Sequence, residues 1–367
     1  MSYQPYISFS SIFVLFILFL SLNLLFLFIK FYLKQNVDYK VAYGILRTQK
    51  GIWIIEKLSK SRFVKIFSIL SFVFSFILIF ASLFLLFYGI STKTPTYALA
   101  IPGISYGPIT LPIFETIIAI FIGAFIHEIA HGILVYKNNL KLKSWGFFYF
   151  GPLIGAFVEP DEKEIENLNW KEKIKIFSAG STMNIIAGFI AFLLFVLFSH
   201  IVYSYNLGNP YVEIVGTIPN TSAYNVIPNN TILYSINGYP IHFTYQISEA
   251  ISNYSIGENI TLYTSSGVYT IPISNYSGGK LIGILVTQNY ENEIIPFISS
   301  LLFWIFVVNI GLGIANMLPI YPLDGGRTVD GILQRFLNKK RRMSILTIIS
   351  ILITLLIFYN IAMSFGF

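Results

Sequence analysis

Long apolar runs alternate with polar loops along the chain, and this alternation predicts membrane-spanning helices. An α-helix needs about 20 apolar residues to cross a hydrocarbon layer roughly 30 Å thick. Six runs reach that length: Ile7–Ile29, Val64–Ile90, Leu111–Tyr136, Ile176–Tyr203, Ile294–Leu318 and Ser344–Phe365. The first run lacks a preceding basic segment and is too long for a signal peptide, so we expect a retained helix.

One loop, between the fourth and fifth runs, has a different character. Residues Gly208–Glu291 are polar and rich in Asn, Ser, Thr and Tyr, and they contain short alternating stretches typical of β-strands. These stretches are Tyr211–Val215, Thr231–Ile236, Asn259–Thr264 and Gly267–Ile273. The sequence therefore predicts an inserted β-rich domain, with a plain β-rich linker as the alternative.

Composition agrees with a polytopic membrane protein, because 55% of residues are hydrophobic and only 11% are charged. The absence of cysteine excludes disulfides, thiolate metal ligands and a cysteine nucleophile. The net charge of +7 comes mainly from three loops, Lys34–Arg62, Lys137–Lys175 and Arg327–Arg342. Such segregation indicates membrane topology, and we expect no nucleic-acid partner.

The basic loops also predict an orientation in the cell membrane. The positive-inside rule places them in the cytoplasm, with both termini and the β-rich domain extracytoplasmic. All five Asn-x-Ser/Thr sequons lie in that domain, which supports an external location: Asn220, Asn229, Asn253, Asn259 and Asn275.

Candidate chemistry lies in the third run, in Phe125–Tyr136, FIHEIAHGILVY. His127 and His131 would lie about 40° apart around a helix, so both can bind one metal ion. Glu128, about 100° away, can take a proton from a water without being a ligand. The alternative is an apolar helix with buried histidines of no function, and the cost of ionisable groups at membrane depth argues against it.

A catalytic metal site needs a third protein ligand and an open position. Asp324 can supply the ligand in Asn316–Arg327, NMLPIYPLDGGR, where prolines break the helix and Gly325-Gly326 would let the backbone turn. On the predicted topology, His127, His131 and Asp324 all lie toward the cytoplasmic side.

Other polar residues are weaker candidates. Asn316 could donate a hydrogen bond to a developing oxyanion or bond between helices. Asn184 is interpreted as a packing residue, and Asp330 as a charge on a helix surface. His200 and His242 are expected at the surface.

The glycine-punctuated stretch Ser144–Trp170, between the third and fourth runs, is too short and broken to span the membrane. It is compatible with a re-entrant or interfacial β-hairpin and, almost equally, with an ordinary surface loop. If a hairpin forms, Gly146–Val158 could pair an edge strand with an unwound substrate.

Together, HEIAH, GAFVEPDE, AGSTMN and NMLPIYPLDGG resemble the site-2 protease family of intramembrane zinc metalloproteases, over Leu111–Gln334. The resemblance implies a catalytic core of the third to fifth helices and one Zn²⁺ held by His127, His131 and Asp324. It also matches Asn316 to the family's asparagine before the aspartate motif. Ser181 stands where many relatives have proline.

Within the β-rich domain, the order of signals resembles a PDZ domain. Val215–Ala223 would be its opening strand and carboxylate loop, Ile232–Ile241 its hairpin and Ile247–Ser252 its helix. The resemblance ends at Pro228–Thr231, where Asn-Asn replaces the usual Gly-Asp.

The predicted fold is an α-helical polytopic membrane protein of about six transmembrane helices with an inserted extracytoplasmic, β-rich PDZ-like domain. Its predicted parts are an N-terminal membrane region at 1–110, two halves of the catalytic core at 111–207 and 292–343, the inserted domain at 208–291, and a C-terminal helix at 344–367.

The predicted function is intramembrane metalloproteolysis, with hydrolysis of peptide bonds within or near transmembrane segments. The expected partners are transmembrane protein substrates and membrane lipid. The alternative is a non-proteolytic transporter or PDZ-bearing scaffold that uses the His/Glu/Asp cluster for metal or proton handling.

Overall fold

The computed structural model describes residues 6–32, 36–106, 109–276 and 279–364. Within these ranges the helices are α1 (Phe9–Phe31), α2 (Ile52–Ser59), α3 (Phe63–Thr92), α4 (Ile113–Lys137), α5 (Glu162–Glu166), α6 (Trp170–Tyr205), α7 (Tyr245–Ala250), α8 (Ile294–Ala315), α9 (Asp324–Leu333) and α10 (Lys339–Ser364). Six of the described helices are long and apolar enough to cross a membrane: α1, α3, α4, α6, α8 and α10. The prediction of six apolar helices of spanning length is confirmed. Two predicted bounds, Lys34 and Phe365, lie outside the described residues.

The strands in the same ranges are β1 (Tyr6–Ile7), β2 (Asn36–Lys40), β3 (Tyr43–Thr48), β4 (Ile104–Tyr106), β5 (Ile109–Thr110), β6 (Leu142–Phe150), β7 (Leu153–Pro160), β8 (Pro210–Thr217), β9 (Thr231–Ile236), β10 (Tyr239–Pro240), β11 (Asn259–Thr264), β12 (Gly267–Pro272), β13 (Ser274–Tyr276), β14 (Gly279–Leu281) and β15 (Ile284–Tyr290). The chain divides into two compact units, which are described separately below. The first unit is Met1–Leu193 with Leu301–Phe367, and the second is Leu194–Ser300.

Small polar residues mark the inward face of α3 in the first unit. Its large residues such as Phe80 are exposed, as suits a helix in lipid, whereas Ser71 and Ser82 are fully buried. The Ser178 hydroxyl of α6 donates to the Ser71 carbonyl at 2.7 Å, and the Ser82 hydroxyl donates to the Met317 carbonyl at 3.3 Å. Serine therefore lets α3 pack closely against the elements that carry the candidate site.

A four-stranded antiparallel sheet in the order β2-β3-β6-β7 occupies the region of the expected hairpin. The hairpin β6–β7 forms, and the alternative of an ordinary surface loop is wrong. The pairing of β3 with β6 was not predicted. Tyr149 of β6 donates to the Asn23 side chain of α1 at 3.0 Å, which ties the sheet to the first spanning helix. β7 is an outer strand and packs against α4.

The second unit contains a sheet in the order β12-β11-β9-β8-β15, with β10 paired to β9. Asn237 and Gly238 have φ of 48° and 80°, as a two-residue hairpin turn requires, and they join β9 to β10 as the Asn-Gly pair predicts. Apolar residues alternate along the strands, and those facing inward form one core with Leu233 and Leu262 at zero exposure. The short helix α7 begins two residues before its predicted start at Ile247.

The fifth predicted run is interrupted earlier than expected. α8 ends at Ala315, three residues before the predicted end at Leu318, and the proline-containing segment leads to a separate helix, α9, that begins at Asp324. Gly325 and Gly326 are helical, so the expected free turn at these glycines is wrong. A side chain on Gly325 would meet the carbonyls of Met317 and Leu318. The glycines instead allow α9 to pack tightly on the segment before it.

Candidate metal centre

Three side chains from two helices converge at one point in the first unit. Nε2 of His127 lies 3.0 Å from Oδ2 of Asp324, and Nε2 of His131 lies 3.2 Å from the same oxygen. All the potential ligand atoms lie within 4.8 Å of one another. The three side chains are 9%, 12% and 15% exposed, so the cluster is largely shielded from solvent.

The cluster fits a small divalent cation. Tetrahedral bonds of about 2.0–2.1 Å to nitrogen and oxygen set neighbouring ligand atoms roughly 3.3 Å apart, close to the distances seen here. Oδ2 of Asp324 is buried, and its contacts with the two histidines lack hydrogen-bond geometry. A buried carboxylate oxygen without a hydrogen-bond donor is compatible with a metal ligand.

Gly180 of α6 keeps open the space beside the histidines. A Cβ atom at this position would lie 2.5 Å from Nε2 of His127 and 2.5 Å from Nε2 of His131. That distance is shorter than any tolerated non-bonded contact. Glycine therefore lets α6 pack directly against the ring nitrogens of both histidines that face Asp324.

The second ring nitrogen of His131 is also engaged. Nδ1 lies 2.7 Å from the carbonyl oxygen of Ile176 on α6. A carbonyl can only accept, so Nδ1 carries the proton and donates it. In the neutral imidazole this leaves Nε2 with a lone pair for a metal.

Asn184 of α6 contacts the other histidine. Its Nδ2 lies 3.2 Å from Nδ1 of His127, and its side chain is fully buried. The interpretation of Asn184 as a packing residue between helices is therefore incomplete, because the amide faces a candidate ligand. The sequence does contain a signal: Ile176, Gly180 and Asn184 recur every four residues, as His127 and His131 do, so each set occupies one helix face.

Glu128 lies between the histidine helix and the sheet. Its Oε2 accepts a hydrogen bond from the backbone amide of Val158 at 3.0 Å. Val158 belongs to the outer strand β7, so this amide is on the edge that faces away from β6. The contact holds the glutamate next to the cluster and beside an unpaired strand edge.

The remaining candidates fall elsewhere. Asn316 follows α8 directly and is half-buried; its carbonyl accepts from the Gly325 amide at 2.8 Å, and its catalytic role stays a prediction. His200 and His242 are exposed, as expected. Asp330 is not a surface charge: its Oδ1 lies 3.0 Å from Nε of Arg342, with the two side chains 19% and 9% exposed. That pair joins α9 to α10.

Comparison with known proteins gives two findings. The family model described as peptidase family M50 matches residues 115–358, which include every residue of the cluster. An uncharacterised protein from Methanocaldococcus jannaschii is 28% identical over 313 residues, covering 83% of this chain and 81% of its own length.

Proposed function

Since the chain belongs to peptidase family M50, the site-2 protease family of membrane metalloproteases, we propose that it hydrolyses peptide bonds within or near transmembrane segments of other membrane proteins. The observation that supports this most directly is the convergence of His127, His131 and Asp324 on one point. Glu128, next to the first histidine in sequence, completes the set of groups that metal-assisted hydrolysis needs.

We assign the metal-holding role to His127, His131 and Asp324, with one Zn²⁺ as the ion. When bound, the ion supplies Lewis acidity, which polarises the scissile carbonyl and makes the attacking water more acidic. The centre offers three protein ligands, the number found in catalytic zinc sites with an open position.

Glu128 takes the proton of the attacking water and then donates it to the leaving amine. A general base must be within hydrogen-bond reach of the proton that it takes. The bond from the Val158 amide at 3.0 Å orients the carboxylate through one oxygen and leaves the other available. Asn316 is proposed to donate a hydrogen bond to the developing oxyanion.

Substrate helices must unwind, because a hydrogen-bonded helix has no free backbone groups for the site to bind. The open edge of β7 can pair with the unwound segment by β-addition. Along an antiparallel strand, amides point alternately to one edge and the other, so Ala156 and Val158 share the edge that faces Glu128. This edge would hold the substrate backbone extended beside the reacting groups.

The proposed orientation follows from the basic loops. The centre would lie near the cytoplasmic side of the cell membrane, with both termini and the second unit extracytoplasmic. The second unit is proposed to be PDZ-like and to exclude substrates with bulky ectodomains. Deletion of Gly208–Glu291 should then broaden the range of substrates that are cut; an unaltered range contradicts the filter.

The experiment that tests the function is cleavage of a tagged single-span substrate by the purified protein in detergent. Wild type should cut it, and Glu128→Gln should lower the rate by roughly 10²- to 10⁴-fold while zinc content is unchanged. Glu115→Gln, which alters another glutamate of the same helix, serves as the matched control and should retain activity. A zinc chelator should abolish cleavage.

Two outcomes would contradict the proposal. Cleavage by Glu128→Gln at the wild-type rate would remove the glutamate from the mechanism. Stoichiometric metal binding without cleavage of any substrate in a broad panel would favour a transporter or scaffold.

A further inference from the structure

The face of α6 that packs against the histidine helix also contacts the second ring nitrogen, Nδ1, of each histidine. Its residues Ile176 and Asn184 contact the outer nitrogens of His131 and His127, respectively, and Gly180 lies between them. Each histidine therefore has a partner on the same helix for the ring nitrogen that faces away from the metal position. For His131 the partner is a backbone carbonyl, which fixes the proton on Nδ1.

The orientation of the Asn184 amide decides the state of His127. As oriented, Nδ2 lies 3.2 Å from Nδ1 of His127, whereas Oδ1 is buried without a hydrogen-bond partner in the described part of the chain. Donation from Nδ2 would require an unprotonated Nδ1 and would put the proton of the neutral ring on Nε2, where it blocks metal binding. A half-turn of the amide brings Oδ1 to Nδ1 and reverses this.

We propose that Asn184 is a positioning residue whose Oδ1 accepts a hydrogen bond from Nδ1–H of His127. The bond holds His127 in the tautomer whose Nε2 is free to bind the metal, as the Ile176 carbonyl does for His131. Outer partners of this kind fix both the tautomer and the ring plane of a ligand histidine. This inference rests on the proposed metal site.

The acceptor at position 184 is a side-chain amide, whereas the acceptor for His131 is the backbone carbonyl of Ile176. A side chain can be replaced, so the accepting atom can be removed or strengthened without changing the backbone of α6. Leucine has a similar volume and no acceptor, whereas aspartate keeps the shape and has only acceptors. The two substitutions separate hydrogen bonding from packing.

The experiment measures zinc affinity of the purified full-length protein by competition with a chelator. Asn184→Leu should weaken zinc binding by roughly 10- to 100-fold, and Asn184→Asp should bind within a fewfold of wild type. The matched control is Asn309→Leu, because Asn309 is an equally buried asparagine whose Nδ2 donates to the Ile305 carbonyl of its own helix. Its zinc affinity should equal that of wild type.

A second readout is the nitrogen spectrum of histidine-labelled, metal-free protein, because bound zinc would itself place the proton of His127 on Nδ1. The spectrum is tractable because the chain has only 4 histidines. A proton on Nδ1 of His127 in wild type supports the proposal, including when Asn184→Leu does not fold. A bare Nδ1 overturns it.

The affinity outcomes are equally decisive. Wild-type affinity in Asn184→Leu, or equal losses in the leucine and aspartate variants, would leave Asn184 a packing residue. If wild type binds zinc while Asn184→Leu is unaffected, only this inference fails. If wild type binds no divalent metal, the proposed function fails with it.

Discussion

The interiors of the two units differ in whether their buried polar side-chain atoms have hydrogen-bond partners. Ten buried side-chain atoms have no hydrogen-bond partner within the described residues, and all ten belong to the first unit. Two of the ten, Asp330 Oδ1 and Arg342 Nε, form an ion pair with each other, which leaves eight without a partner in that part of the chain. In the second unit the buried threonines are bonded: the hydroxyl of Thr264, for example, donates to the Gly267 carbonyl at 2.8 Å. The rest of that core is apolar.

The buried polar atoms without a partner lie partly at the candidate metal centre. Unpaired buried polar groups are costly, and folded proteins keep few of them. In the first unit two of them, Asp324 Oδ2 and Asn184 Oδ1, belong to residues of the candidate centre, and the hydroxyls of Ser181 and Thr182 directly follow Gly180 in sequence. Their concentration there is compatible with partners such as a metal ion, water or substrate.

The largest effect is expected from a side chain at Gly180, which would fill the space beside the two histidines of the first unit. Gly180→Ala places a methyl group 2.5 Å from Nε2 of both histidines, so stoichiometric zinc binding and cleavage should both be lost. The measurements are zinc content after gel filtration and cleavage of the test substrate. Gly311→Ala is the control, because no described atom outside its own stretch of helix lies within 4 Å of its Cβ position. Normal zinc content in Gly180→Ala would show that the gap is unrelated to a metal.

A substitution in the core of the second unit should change the stability of that unit and leave zinc binding unchanged. Leu233→Ala removes a fully buried side chain, and such truncations cost about 2–5 kcal/mol. Hydrogen exchange in the full-length protein should become faster in β8 and β9, while zinc affinity stays the same. Tyr234→Ala, which alters the 55% exposed neighbour on the same strand, should change little. Loss of zinc binding in Leu233→Ala would break the separation of the two units.

A smaller effect is expected at the edge of β7 that does not pair with β6, where the substrate is proposed to bind. Ala156→Pro removes one amide from the edge proposed to bind substrate, so cleavage should slow roughly two- to tenfold, the value of one net hydrogen bond. Zinc affinity should not change. Ala156→Val adds a similar volume and keeps the amide, so it should cut at nearly the wild-type rate. Equal losses of cleavage rate in the two variants would show that the added side-chain volume, and not the missing amide, slows the reaction.

Proline at Val158 is a less specific probe. It would also remove the amide that donates to Glu128 at 3.0 Å, and a slower reaction could then arise from either contact.

The smallest effect is expected at an exposed ion pair of the first unit. Lys339 donates to Glu166 at 2.9 and 3.0 Å, and this hydrogen bond lowers the pKa of the Glu166 carboxyl below its ordinary 4.5. Because the pKa is lowered on folding, the pair stabilises the protein above that value and loses its effect as acid protonates Glu166. Both side chains are more than half exposed, so solvent screening keeps the contribution below about 1 kcal/mol.

Thermal unfolding tests this pair. Glu166→Gln should lower the Tm by only a degree or two at pH 7, and the difference from wild type should shrink in acid. A difference that grows as the pH falls would contradict the assigned sign.

The parts of the molecule that the sequence predicts are those set by local periodicity. Apolar runs of spanning length identify the six long helices, and a spacing of four brings His127 and His131 to one helix face. The strands of the second unit follow from two-residue alternation, with the Asn-Gly pair marking one turn. In each case the signal and the structure involve neighbouring residues.

The missed features depend on contacts between distant segments. The pairing of β3 with β6 joins loops on either side of two spanning helices, and no periodicity within one loop reveals it. The role of Gly325 was misjudged because the atoms that exclude a side chain belong to the preceding segment. Asp330 was misjudged because Arg342, its partner, lies on another helix.

The start of α9 at Asp324 also has a consequence for synthesis of the protein. Roughly 190 residues separate His131 from Asp324, and the whole second unit lies between them in sequence. At about 5–20 residues per second, a ribosome needs on the order of ten to forty seconds to make that stretch. Until Asp324 emerges, only two of the three candidate ligands have been made. The candidate metal centre is therefore incomplete until after the whole second unit has been synthesised.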